Sequence, residues 1–196
     1  MDIIANFENF LKRIVPIATT DFAESIPYFK VLKLRKGELF LKPNEVCTKA
    51  AYINKGILRS FYENEKGQDI TYCFCSKDHV GTSVESFTTQ TKSNLAVEAL
   101  EHSELLIIEY SALQELYANS LFWQTAGRIF MEKAFLFLEK YASSLNNEPA
   151  KERYLRLLSE QPDVIKYVQV QHIASYLGIS RETLSRISKQ VSPPIL

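Results

Sequence analysis

The chain has 196 residues, and its 23 basic and 23 acidic side chains cancel to zero net charge. Its hydrophobic content of 46% is enough for a packed core of one or two domains, and no apolar run approaches the ~20 residues that cross a bilayer. The N-terminus, MDIIANFENFLKRIV, mixes acids with bases and lacks the basic start and cleavage site of a signal peptide, so a cytoplasmic protein without membrane attachment is expected.

The charge is unevenly placed. Between residues 147 and 196, seven bases (Lys151, Arg153, Arg156, Lys166, Arg181, Arg186, Lys189) face five acids (Glu148, Glu152, Glu160, Asp163, Glu182), a net +2. The tilt is mild, and it has the sign that a polyanionic partner requires.

Residues 2–15 place Ile3, Phe7, Phe10, Leu11 and Ile14 at helical spacing. Pro16 and Pro27 bracket an irregular link with a short helical segment over residues 20–26. From residue 29 to 109 the pattern reads as β. Short apolar or alternating runs are punctuated by Lys36-Gly37, Lys55-Gly56 and Lys66-Gly67 at hairpin-like intervals, which predicts a jelly roll or barrel. Cys73 and Cys75 alternate within TYCFC and so face one side of a strand. With Cys47 they read as reduced, packed thiols rather than metal ligands.

Residues 111–117 form a short helical segment with Ser111 as candidate N-cap. A long run without a cap signal then covers residues 121–145. Trp123, Gly127, Phe130, Ala134, Phe137 and Tyr141 recur along it at steps of four and three, and Ile129, Leu136 and Leu138 add a second apolar edge. A helix apolar on more than one side needs two partners, and the stripe predicts a homodimer interface. Asn146-Asn147-Glu148-Pro149 reads as a hinge, with Asn147 capping a new helix and Pro149 in its first turn. That helix, PAKERYLRLLSEQ, stops at Pro162, and DVIKYVQ follows as an extended link. Arg153 and Arg156 read as solvated side chains. The terminal VSPPIL cannot be helical through its prolines.

Residues 170–187, VQHIASYLGISRETLSRI, have the layout of a DNA-binding helix-turn-helix. Ala174 is small where two helices cross, and Gly178 falls where the turn needs a positive φ. Ile173, Leu177, Ile179, Leu184 and Ile187 are apolar at the packing positions, while Tyr176 is expected to pack rather than read. Ser180 stands at the N-cap of the second helix. That helix carries Arg181, Glu182, Thr183, Ser185, Arg186 and Lys189 on a polar face suited to base edges. Gln171 and His172, at the start of the first helix, are placed to touch the DNA backbone.

Catalysis has little support. The only histidines are His79, His102 and His172, with no paired ligand motif, no Ser/His/Asp signature and no phosphate-cradling loop, so neither an enzyme nor a metal or cofactor site is expected. The alternative to a DNA reader is a ligand-binding or protein-interaction module whose helix-turn-helix is vestigial.

The order of these elements resembles the Crp/Fnr superfamily of bacterial transcription regulators. SRETLSRI at residues 180–187 is very close to the recognition helix of the cyclic-AMP receptor protein. ERYLRLL, IASYLGIS and LSRI together look like the short, Bacteroidetes-type members. The resemblance implies an α+β chain: a cyclic-nucleotide-binding-like β-roll sensor (1–118), a long interface helix (119–146) and a winged-helix-like DNA-binding region (147–196). It implies base reading by Arg181, Glu182 and Arg186, double-stranded DNA and a second copy as partners, and RNA polymerase as a further one. Members that bind cyclic nucleotides carry a Gly-Glu pair and, about ten residues on, an arginine for the phosphate. Here the matching stretch is Gly81-Thr82-Ser83, and Lys92-Ser93-Asn94 stands where the arginine belongs. Cyclic AMP is therefore not expected to bind in the usual way, and these six residues are the candidate pocket for an unidentified small-molecule effector. No N-terminal cysteine cluster is present for an iron–sulfur switch. The chain ends soon after Gln190, so a β-wing is expected to be reduced or missing.

Overall fold

The computed structural model describes residues 2–15 and 19–191. Helix α1 (Ile3–Lys12) opens on Asp2, whose carboxylate accepts from Ile4 N–H at 3.2 Å, and buries Ile3, Phe7, Phe10 and Leu11 along one face. Helix α2 (Thr19–Ser25) and a 3-10 turn at Ile26–Tyr28 lead into the β region. Pro16 and the terminal SPPIL lie outside the described residues.

Eight strands follow: β1 (Phe29–Leu34), β2 (Leu39–Leu41), β3 (Lys49–Lys55), β4 (Leu58–Glu63), β5 (Asp69–Cys75), β6 (Val80–Gly81), β7 (Ala96–Ala99) and β8 (Ser103–Glu109). They make two four-stranded antiparallel sheets, ordered β1-β8-β3-β6 and β2-β7-β4-β5. This is the expected roll. Leu41, Ile53, Leu58, Val97, Leu105 and Ile107 fill the space between the sheets. Strand β8 shows why SELLIIE is apolar at successive positions. Leu105 and Ile107 point into the roll, while Leu106 and Ile108 point out, against α1 and the long helix. The three cysteines are free, as expected.

One element interrupts the β pattern. Helix α3 (Val84–Thr89) lies within the zone that reads as β, between its strand runs, held by Ser86 Oγ accepting from Cys47 N–H at 2.9 Å. A helix this short buries only Ser86 and Phe87, too few positions to show a period.

Helix α4 (Tyr110–Asn119) starts directly from β8 with Glu109, not Ser111, at its N-cap. Helix α5 (Leu121–Asn147) does have a cap, because Ser120 Oγ accepts from Trp123 N–H at 3.4 Å. Beyond it lie α6 (Ala150–Glu160), α7 (Pro162–Tyr167), α8 (Val170–Tyr176) and α9 (Arg181–Val191). Asn147 is the last residue of α5 rather than a cap, and Pro149 takes the N-cap position of α6. The expected extended link after Pro162 is α7. A proline that ends one helix also has its φ preset for the first turn of the next. Among the described residues, no helix is long and apolar enough to cross a membrane.

The turn between β3 and β4 depends on Gly56. Its φ is +102°, and a Cβ there would lie 2.1 Å from Ser103 Oγ and 2.6 Å from the Ser103 Cα. Gly67, in the next turn, has φ +70° but nothing within 4 Å. Gly56→Ala is therefore expected to cost about 2–5 kcal/mol of folding stability, combining strain with overpacking. Gly67→Ala is expected to cost only about 1–2 kcal/mol. Denaturant unfolding of the two variants measures the difference, and equal losses would contradict this packing.

Candidate nucleic-acid interface

Helices α8 and α9 form the turn that the spacing predicts. Gly178 has φ +64°, its N–H donates to Ser175 O at 3.1 Å, and Ile179 N–H reaches back to Ala174 O at 3.0 Å. These bonds close the end of α8 and reverse the chain. Ile173, Ala174, Leu177, Leu184 and Ile187 are buried together, with Ile179 half-buried beside them. Tyr154 and Leu157 of α6 and Val164 of α7 complete this core.

Ser180 accepts from Thr183 N–H at 3.2 Å and so caps α9. Its hydroxyl also lies 3.3 Å from Thr183 Oγ1, to which Arg186 Nη2 donates at 3.2 Å. Arg181, Glu182, Ser185, Arg186 and Lys189 are exposed, and Thr183 is half-buried. Helix α9 thus presents a continuous polar face away from its own core. Glu182 is held below the usual carboxylate range by its own backbone N–H and the Ser180 hydroxyl, with Arg181 and Arg186 adding to the effect. The face therefore carries two guanidiniums, an ammonium and one firmly ionised carboxylate.

The two residues expected at the backbone-contacting start of α8 separate. Gln171 is exposed. His172 instead turns toward the roll, half-buried, with Nε2 at 3.4 Å from Arg59 Nη1. Burial, then the Arg59 charge, lowers the His172 pKa against a smaller pull from Asp69, so the ring is neutral at pH 7.

Arg59 and Ser175 are the residues that sequence reasoning missed. Arg59 is the second residue of β4 and is 1% exposed. Its Nε donates to Thr71 Oγ1 at 3.1 Å, Nη1 to Glu98 at 2.8 Å and Nη2 to Asp69 at 3.0 Å, while the guanidinium lies 4.0 Å from the Phe61 ring centre. Ser175 Oγ accepts from Thr71 N–H at 2.9 Å. The one signal for Arg59 is a cation inside an apolar strand, and such a residue ordinarily faces water. Here α8 covers that face, with Ile57 and Phe74 entering the helix-turn-helix core.

Arg153 and Arg156 are not solvated side chains. Arg153 donates to Leu177 O at 2.7 Å and to Glu148 O, and Arg156 pairs with the Glu148 carboxylate at 2.6 Å. Arg153 staples the hinge to the turn, and Arg156 ties α6 to the hinge. Tyr176 packs as expected, stacked on Tyr141 at 5.0 Å, and Tyr141 Oη donates to Tyr176 O at 2.9 Å.

The candidate effector residues come together only in part. Thr82 Oγ1 donates to Lys49 O at 3.0 Å, and Ser93 Oγ lies 3.0 Å from Ser83 Oγ, both serines buried. A Cβ on Gly81 would lie 3.3 Å from Leu58 Cδ1, so that strand is tightly packed from inside. Lys92 and Asn94 are exposed. The hydroxyls at this place are thus already bonded within the chain.

The stripe expected to pair two copies is mostly covered by its own chain. Trp123 is 3% exposed in the α1/β8 core, the Gly127 position abuts the Tyr117 ring, and Phe130 stacks on Phe10 at 5.9 Å. Tyr141 is taken by Tyr176, Ala134 is half-buried, and Phe137 is 37% exposed. The open apolar surface lies about one residue round the helix. Leu121, Gln124, Arg128, Met131, Phe135, Leu138, Ala142 and Leu145 are all exposed and recur at alternating steps of three and four. Leu121 is 78%, Met131 50% and Phe135 68% exposed. Both patterns have the same period, so sequence alone could not tell which one the roll would cover.

Comparison with known proteins agrees with this architecture. Residues 31–120 match the family model of the cyclic nucleotide-binding domain. No curated protein matches the chain in sequence. Solved structures similar to it include FixK2 from Bradyrhizobium japonicum, 20% identical over 83% of this chain and 84% of that one, with a TM-score of 0.67. A protein from Eubacterium rectale described as a transcriptional regulator of the Crp/Fnr family is 17% identical, covering 89% of this chain and 83% of that one, with a TM-score of 0.68. The c-di-GMP responsive global regulator CLP of Xanthomonas campestris is 18% identical over 89% and 91% of the two chains, with a TM-score of 0.66.

Proposed function

From the premise that residues 31–120 are a cyclic nucleotide-binding domain, in a chain with the fold of the Crp/Fnr transcription regulators, we propose that this protein is a sequence-specific DNA-binding regulator acting as a homodimer on a palindromic operator. The single observation that carries the reading is the face of α9. It is a capped helix with Arg181, Glu182, Ser185, Arg186 and Lys189 all turned to solvent and with Leu184 and Ile187 buried on the opposite side.

A helix of this width fits a major groove. Arg181 and Arg186 are suited to guanine O6 and N7, and Glu182 to the amino group of cytosine. Gln171, beside that face on α8, and Lys189, at its far end, supply phosphate contacts. His172 contributes to the backbone contact only if it leaves Arg59. Two copies joined along α5 would present two reading helices to successive major grooves, about 34 Å apart. The face of α5 supports this pairing, because its exposed apolar positions Met131, Phe135, Leu138 and Leu145 keep a heptad-like spacing in a helix whose first turns pack on the roll.

The roll is proposed to work without cyclic AMP in the usual mode. A cyclic phosphate needs a cation where this chain has Ser93 or Asn94, both uncharged, and the buried Ser93 is already bonded to Ser83. Lys92, exposed nearby, gives a point charge without a bidentate fork.

Replacing Arg181 and Arg186 by Ala separates a DNA reader from a module with a vestigial helix-turn-helix. Each change is expected to cost about 1–3 kcal/mol of operator affinity and to relax base preference at one position per half-site. Competition binding against scrambled duplex measures it, and unchanged specific affinity would overturn the reading. Phe135→Glu is expected to convert a dimer to a monomer in sedimentation at micromolar concentration, while Phe137→Glu, nearer the chain's own Tyr141, has the smaller effect. A dimer that tolerates Phe135→Glu would place the pairing surface elsewhere.

A further inference from the structure

The helix-turn-helix is joined to the rest of the chain covalently at Glu148 and Pro149, and a second time through α8. Ser175 Oγ accepts from Thr71 N–H at 2.9 Å and lies 3.3 Å from Asp69 O, its hydroxyl directed to that carbonyl. Both partners are backbone groups of β5, the outer strand of the sheet β2-β7-β4-β5. The outward groups of an edge strand have no strand to pair with, and here a helix side chain takes two of them. Phe74 on the same strand packs 5.3 Å from the Tyr176 ring, and Ile57 joins that core. Alongside, His172 meets the buried Arg59.

This contact leaves α9 free. Its polar face stays exposed while α8 is docked, so docking does not block DNA. What it does restrict is rotation of the whole module about the hinge. The separation of two reading helices in a dimer depends on that rotation. Each added base pair displaces a half-site by about 3.4 Å and rotates it by roughly one-tenth of a turn.

We propose that Ser175 is a positioning residue for operator recognition: its bonds to the β5 backbone fix where α9 stands relative to the roll, and so set the half-site spacing that a dimer accepts. The proposal rests on the dimeric DNA-reading function above. Ser175 faces the roll and lies outside the reading face, so it acts on spacing without choosing bases.

The test uses the full chain with Ser175→Ala and Ser175→Thr. Each is titrated against the palindrome preferred by wild type and against operators with one base pair added to or removed from the spacer. A hydroxyl bond of this kind is worth about 1 kcal/mol, a factor of about five. The expected result is that Ser175→Ala narrows the affinity gap between the best and the altered spacings about five-fold, with base preference inside each half-site unchanged. Ser175→Thr, which keeps the hydroxyl, restores the wild-type gap. An unchanged gap in Ser175→Ala overturns the proposal. So does an equal loss at every spacing in both variants, which marks a purely structural role. A wild-type chain that prefers no palindrome overturns the dimeric reading itself, and the proposal with it.

Discussion

The outer face of strands β4 and β5 is the surface on which the two halves of this molecule depend. Arg59 lies there at 1% exposure, held by Glu98, Asp69 and Thr71, and the helix-turn-helix forms the cover. A buried ion pair adds little net stability, because desolvation offsets most of the attraction. It does demand geometry. Losing both carboxylates would leave the buried guanidinium uncompensated, at a cost of about 3–5 kcal/mol. The apolar contacts of Ile57 and Phe74 drive the docking, and the polar contacts of Arg59, His172 and Ser175 select one arrangement of it. The helix-turn-helix is thereby oriented by a folded surface, with the hinge as only one of its attachments.

Helix α5 serves both halves through its different faces. Its first turns bury Phe122, Trp123 and Ala126 against the roll, and its last turns meet Tyr176 through Tyr141. That leaves a third side exposed along the whole length and apolar from Met131 to Leu145. A single helix that touches the roll, the helix-turn-helix and, in the proposed dimer, its own copy is the shortest physical path between them. The candidate effector pocket fits this frame differently. Ser83 and Ser93 are buried and bonded to each other, so a ligand entering there would have to replace those bonds.

Much of this was legible in the sequence where one residue type has one physical use. Gly178 was readable because only a positive φ closes that turn, and Ser180 because a hydroxyl before RETLSRI caps a helix. The roll was readable from glycine turns at hairpin intervals. What could not be read depends on which surface covers which. The stripe through Trp123, Gly127 and Phe130 and the one through Met131, Phe135 and Leu138 share a period, and only the position of α1 and α4 decides between them. Arg59, His172, Arg153 and Arg156 look like solvent-facing charges until the fold brings a partner to each. Helices α3 and α7 were missed because six residues are too short to show a helical repeat.

The most direct measurement is selection of bound duplexes from a random DNA pool by the purified 196-residue chain, with no added ligand and at near-physiological salt. The account predicts enrichment of a two-fold palindrome with half-site centres about one helical turn apart, lost when Arg181 and Arg186 are both replaced by Ala. Enrichment of no sequence, or of one that the double replacement still selects, would contradict it.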